Sequence, residues 1–305
     1  MLQPYLSNKP AWLQVLALFS LAICCASIAS FIGFMVIKFT YGIDVLAIEA
    51  VLSDFSNPVT IPAYRILQIC QILGVFILPP LLMAQFITGN ALDVPGALVK
   101  PGVIKIGLGI LIMLALQPTI NFLAEWNSNL DFPDALGIEQ WMKSSEKNAA
   151  YLTELFLDMK GIPDLILIVF IIGVLTGIGE EFFFRATLQT IFQRFTGNKH
   201  VAILLAAFVF SALHMQFYGF FPRFLLGIAL GYMFVWSGSI WVPVVAHAFN
   251  NSMAVVLSYL IKHQHVDKSI ETIGIEGNLK PLLLSVVLSA FFIQQFYKRR
   301  IDYLD

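Results

Sequence analysis

The sequence predicts an all-α, polytopic integral membrane bundle of about eight transmembrane helices, and three observations predict it. Of the 305 residues, 58% are hydrophobic and 12% charged, whereas soluble domains carry about 25% charged residues. The apolar residues gather into runs close to the roughly 20 that cross a hydrocarbon core. The polar segments between them are short, so the chain reads as a single membrane domain over 1–305. A net charge of -1 offers no basic surface of the kind nucleic acid requires, and that partner class is set aside.

The candidate spans are 12–37, 66–87, 103–124, 165–191, 201–215, 220–236, 240–261 and 281–297. The first is too long for a signal-peptide core and is expected to remain as an uncleaved span. Pro79-Pro80 should kink the second, and Pro118 should kink or end the third. The fifth and sixth are short. Cys24, Cys25 and Cys70 all fall inside apolar runs without paired or CxxC spacing, so they are read as packing residues.

The largest polar insertion, 125–163, holds two amphipathic-looking pieces, around 135–142 and 149–159, and is expected to form a small extramembrane or interfacial helical segment. Eight crossings put both termini on one side, together with Lys100, Arg194, Lys199 and the tail Lys298-Arg299-Arg300. The acidic insertion falls on the other side, with Lys262, Lys268 and Lys280. Positive-inside reasoning therefore predicts cytoplasmic termini, in a bacterial inner (plasma) membrane.

Against this apolar background, the stretch from Gly177 to Gln189, GIGEEFFFRATLQ, stands apart. Each ionised side chain near a bilayer centre costs about 2.5–3.5 kcal/mol on insertion scales, and Glu180, Glu181 and Arg185 lie within six positions. Glu181 and Arg185 are four apart on a helix and can pair, with the glutamate N-terminal, the favourable order. Glu180 is about 100° round the helix from Glu181 and has no partner in that pairing. A surface salt bridge at a helix end would explain Glu181 and Arg185; Glu180 facing a polar cavity as a general base would explain all three.

Two more polar groups repeat the spacing of four: Phe210 with His214 in the fifth span, and His247 with Asn251 in the seventh. Taken singly, each could be a packing or helix-bridging group. If Glu180, His214, His247 and Asn251 converge, they supply a base, a second proton-handling group and donors for an oxyanion, with water as the attacking species. No HExxH zinc motif, GxGD aspartate pair or GxSxG serine is present. Ser211 shares a helix with His214, but that spacing leaves little room for a substrate carbonyl. The Phe182–Phe184 triplet, Phe220 and Phe221 read first as packing aromatics, and second as the lining of an apolar groove for a hydrophobic substrate.

At these residues the sequence resembles the CPBP family, also called ABI: the CAAX-prenyl-endopeptidase and bacteriocin-processing membrane proteins. Its EExxxR, FxxxH and HxxxN/D motifs stand here in order as Glu180-Glu181-Phe182-Phe183-Phe184-Arg185, Phe210-Ser211-Ala212-Leu213-His214 and His247-Ala248-Phe249-Asn250-Asn251. The resemblance covers a core at 165–257. It implies a glutamate-type intramembrane endopeptidase in which Glu180 and His214 activate water, His247 and Asn251 stabilise the oxyanion, and Glu181, Arg185 and Phe210 support the site. Its substrate would be a peptide or protein, prenylated or otherwise hydrophobic, taken from the membrane lipid. No cofactor is expected; the alternative is a catalytic zinc held by Glu180, His214 and His247.

Two other functions use the same residue types. A proton-coupled transporter would place Glu, His and Arg within the membrane, but it should show inverted repeats, and none is visible. A non-catalytic immunity or scaffold protein would keep the pocket as a partner-binding site.

Overall fold

The computed structural model describes residues 4–54, 56–130, 137–275 and 279–301, and their regular structure is entirely helical. The helices are α1 (Ala11–Tyr41), α2 (Ile48–Ser53), α3 (Thr60–Thr88), α4 (Val103–Ser128), α5 (Ile138–Phe156), α6 (Ile162–Thr196), α7 (Lys199–Ala212), α8 (Phe220–Ser237), α9 (Trp241–Lys262) and α10 (Leu279–Tyr297). Seven of these, α1, α3, α4, α6, α8, α9 and α10, are long and apolar enough to cross a membrane. The chain is a multi-pass integral membrane protein.

The fifth predicted span, 201–215, differs from expectation. Its helix α7 has 14 residues and stops at Ala212, which at 1.5 Å per residue gives about 21 Å, short of the roughly 30 Å hydrocarbon thickness. His214 therefore sits in a turn beyond the helix.

The expected proline effects are mild. Helix α3 widens to π-helical geometry over Ile72–Ile77, just ahead of Pro79 and Pro80, where two backbone hydrogen bonds cannot form. Helix α4 runs through Pro118 and continues to Ser128. In the polar insertion, α5 is one continuous helix whose buried residue is Met142. The first expected amphipathic piece, 135–142, lies partly outside the described residues.

Helix α6 is the hub. It packs against α1, α3, α7, α8 and α9, and every residue from 179 to 191 is buried. A helix enclosed on all sides by other helices keeps its ionisable side chains away from lipid, which is the condition for carrying them at all. Close approach makes this enclosure possible: a Cβ added to Gly177 would lie 3.0 Å from the backbone nitrogen of Ala248 on α9. Phe183 and Phe184 are each 1% exposed and pack edge-on with Phe76 and Phe210, so the middle of the phenylalanine triplet is core packing. At the polar end, Arg65 of α3 pairs with Asp164 of α6 at 2.8 Å.

Candidate active site

The EExxxR residues lie where α6 departs from α-helical winding. Glu181–Gln189 is π-helical, and so is Val169–Leu175 one segment earlier. Such widened turns occur often at functional sites because they shift the angular position of the residues they carry. Within the second one, Arg185 Nη1 lies 2.8 Å from Glu181 Oε1, with side-chain exposures of 1% and 0%. The guanidinium stands over the Phe210 ring, 4.5 Å from its centroid. The charge is thus neutralised on one side by a carboxylate and covered on the other by an aromatic face.

Glu181 has a second partner. His247 Nδ1 lies 2.7 Å from the same Oε1, and its Nε2 lies 3.7 Å from Glu180 Oε2. An ionised carboxylate only accepts hydrogen bonds, so the short contact requires a proton on Nδ1. The nitrogen left over, Nε2, faces Glu180. Glu180 itself is buried, at 7% exposure, and the 3.7 Å contact with His247 is its nearest ion-pair partner among the described residues.

His214 completes the group. Its Nδ1 lies 2.7 Å from the Phe210 carbonyl, an acceptor only, so Nδ1 carries the proton and Nε2 keeps its lone pair. The Phe210 ring touches both imidazoles edge-on, with centroids 5.0 Å from His214 and 6.0 Å from His247. Glu180, His247 and Arg223 are all within electrostatic reach of His214. Ser211 points elsewhere, its Oγ donating to the Phe220 carbonyl at 2.7 Å.

Asn251 stands one turn beyond His247 on α9. Its Nδ2 donates to the Ile172 carbonyl of α6 at 3.3 Å, and its Oδ1 accepts from Asn250. Asn250 is in turn held by Gln117 of α4 at 2.8 Å. The amide of Asn251 is thus oriented by its neighbours, and one of its two hydrogens is engaged with α6.

The structure therefore brings Glu180, Glu181, Arg185, Phe210, His214 and His247 together at the crossing of α6, α7 and α9, with Asn251 alongside. It also brings in residues that spacing did not single out. Arg223 of α8 is within electrostatic reach of Glu180, and Asn127 of α4 and Glu146 of α5 both bond to the turn that carries His214. The sequence signal for Arg223 is an arginine at the head of an apolar run, a position that also reads as an interfacial anchor.

The donor set for a catalytic zinc was Glu180, His214 and His247. Among the described residues, no group of three or more His, Cys, Asp or Glu side chains is arranged to hold a metal ion. As placed, Glu180, His214 and His247 are not gathered as a ligand set.

Fold and site together define the class: a polytopic helical membrane protein with a buried carboxylate and imidazole site at the junction of its central helices. Residues 162–253 match the family described as type II CAAX prenyl endopeptidase Rce1-like. All of Glu180, His214, His247 and Asn251 lie inside the matched segment. The chain is 25% identical over 135 residues to the uncharacterized protein YpbD of Bacillus subtilis (strain 168), covering 43% of this chain and 63% of that one. It is 31% identical over 101 residues to an uncharacterized 24.3 kDa protein of Escherichia coli, covering 32% of this chain and 46% of that one. The matched region thus spans less than two thirds of either relative. No solved structure matches the chain.

Proposed function

We propose that this protein is an intramembrane endopeptidase that hydrolyses peptide bonds near the membrane surface, with water activated by Glu180 and His214. The observation that carries the reading is the division of labour between the adjacent glutamates. Arg185 and His247 share one oxygen of Glu181 at 2.8 and 2.7 Å, while the ion-pair contact of Glu180 among the described residues is the 3.7 Å one to His247. A carboxylate with no strong partner is available to take a proton.

In this mechanism a water lies between Glu180 and the Nε2 lone pair of His214. As its oxygen attacks the substrate carbonyl, the water proton passes to the Glu180 carboxylate. The resulting tetrahedral oxyanion is met by donors on α9: Nε2–H of a doubly protonated His247, with Glu181 as counter-charge, and an amide hydrogen of Asn251. The proton on Glu180 then goes to the leaving amine, and the peptide bond breaks. Arg185 and Phe210 hold Glu181 and both imidazoles in register.

The substrate is a hydrophobic peptide or protein segment, prenylated in the fullest form of the family resemblance, entering from lipid. The side with the basic tail Lys298-Arg299-Arg300 faces the cytoplasm of a bacterial cell. The test is cleavage of internally quenched peptides, with and without a prenylated cysteine, by purified wild type and Glu180→Ala, each with and without a chelator. Loss of cleavage in the variant alone supports the reading. Loss on chelation of the wild type sinks its metal-free form, and a folded wild type that cleaves neither peptide counts against hydrolysis.

A further inference from the structure

The turn that carries His214, between α7 and α8, is not a conformation its own residues favour. Met215 has φ of +53°, a left-handed value that residues with a Cβ adopt rarely. The local backbone bonds are few, at His214, Met215 and Gly219. A strained turn in a functional site persists when its surroundings over-determine it, and here three side chains from three other helices do so.

Asn127 of α4, 1% exposed, donates to the Phe217 carbonyl at 3.1 Å and accepts from the Phe221 amide at 2.9 Å. Glu146 of α5 accepts from the Tyr218 amide at 3.3 Å, beside a Trp141–Phe217 ring contact at 5.1 Å. Arg223 of α8 uses both terminal nitrogens on Gln216: Nη1 on the side-chain oxygen at 2.9 Å and Nη2 on the carbonyl at 2.5 Å. This fork fits only because residue 219 is glycine, since a Cβ there would lie 2.7 Å from Nη2. Arg223 is also within electrostatic reach of Glu180 and Glu146.

We propose that Arg223 is a positioning residue of the hydrolytic site: fastened to Gln216, it holds the turn so that His214 faces Glu180, with Glu146 of the insertion helix as its counter-charge. The inference rests on the hydrolytic reading of Glu180 and His214. Arg223 acts through Gln216 and the turn, so its removal should lower turnover through His214 and leave substrate binding largely intact. It also makes α5, which lies outside the family-matched segment, part of what sets the site.

The experiment uses the full-length protein in detergent, with wild type, Arg223→Met, Arg223→Lys, Glu146→Gln and His214→Ala. Each is assayed on an internally quenched peptide bearing a prenylated cysteine, and amide hydrogen exchange is followed over 213–219. Arg223→Met should lower kcat by about 10²-fold, the scale of a small misplacement of a catalytic group, with KM within about twofold. Exchange in the turn should rise by about tenfold, as expected for loss of two hydrogen bonds, while α6 and α9 keep their protection. Arg223→Lys, which keeps the charge but not the fork, should recover only part of kcat, and Glu146→Gln should show a smaller fall in the same sense.

Unchanged exchange at 213–219 in Arg223→Met overturns the inference whatever happens to activity. A loss carried mainly by KM also overturns it, by making Arg223 a substrate-binding group. Wild-type kcat in Arg223→Met beside an inactive His214→Ala overturns the inference alone. Wild-type kcat in His214→Ala overturns the hydrolytic reading and the inference with it.

Discussion

His247 Nδ1 lies 2.7 Å from Glu181 Oε1, and Arg185 Nη1 lies 2.8 Å from that same oxygen. One carboxylate oxygen therefore anchors a cation on its own helix and an imidazole on α9, all essentially out of reach of solvent. Removing one partner of a buried pair leaves an uncompensated charge and costs about 3–5 kcal/mol. Glu181→Ala is expected to lower the thermal unfolding midpoint in detergent sharply or to prevent accumulation of folded protein. Glu181→Gln, which keeps the shape, should be milder. An unchanged midpoint in the alanine variant would show that Arg185 and His247 do not depend on this carboxylate.

Glu180 should behave in the opposite way. Its ion-pair contact with His247 is long, at 3.7 Å, so Glu180→Gln is expected to leave the unfolding midpoint near that of the wild type. Turnover should fall by about 10²–10⁴-fold, the usual contribution of a positioned general base. Thermal unfolding and peptide cleavage measured on one preparation separate the two quantities. A variant that loses stability in step with Glu181→Ala, yet keeps its activity, would assign Glu180 a structural role.

Helix-surface geometry made part of this site legible in the sequence and left part of it hidden. The pairing of Glu181 with Arg185 follows from a spacing of four within one helix, and the structure contains it. The grouping of Phe210 with His214 was also visible as a spacing, although His214 turned out to lie beyond the end of α7, because that helix is too short to carry it. The contact between Glu181 and His247 spans 66 positions, and no local period encodes it. The expense of placing each group in lipid and the resemblance of the three motifs to one family are what suggest that they meet. Asn127, Glu146 and Arg223 were invisible for a further reason. Each sits near the end of a helix or in the polar insertion, where polar residues are ordinary and cost nothing unusual.

Phe210 gives a third prediction. Its ring covers Arg185 at 4.5 Å and meets both His214 and His247 edge-on, so it acts as a common wall between the cation and the two imidazoles. Phe210→Leu keeps most of the apolar volume but removes the aromatic face. It is expected to cost about 1–2 kcal/mol, the order of a desolvated cation–π contact, and to reduce kcat more than KM. Phe210→Ala should cost about 3–5 kcal/mol through the cavity it opens. Chemical denaturation of the two variants checks the order. Equal stability of the leucine variant and wild type would show that the aromatic face contributes only volume.

The crossing of α6 and α9 gives the fourth, and it tests whether assembly of the site depends on backbone proximity as well as on its polar groups. A Cβ at position 177 would lie 3.0 Å from Ala248 N, 3.1 Å from its Cα and 3.2 Å from its Cβ. Two of those atoms are backbone and cannot rotate aside, and Ala248 adjoins His247. Gly177→Val must therefore push α9 away from α6, lengthening the contacts from His247 to Glu180 and Glu181 that begin three residues further along α6. Helices packed through small residues tolerate such bulk poorly in membranes, and a misplacement of about 1 Å in a catalytic group can cost about 10²-fold in rate. The expected result is a protein that still inserts in the membrane but has lost most turnover, with Gly177→Ala intermediate. A cysteine pair introduced across the two helices near this crossing would report the separation directly, through slower disulfide formation in the valine background. Wild-type cross-linking together with wild-type cleavage in Gly177→Val would mean that α9 is held against α6 by contacts other than this close approach.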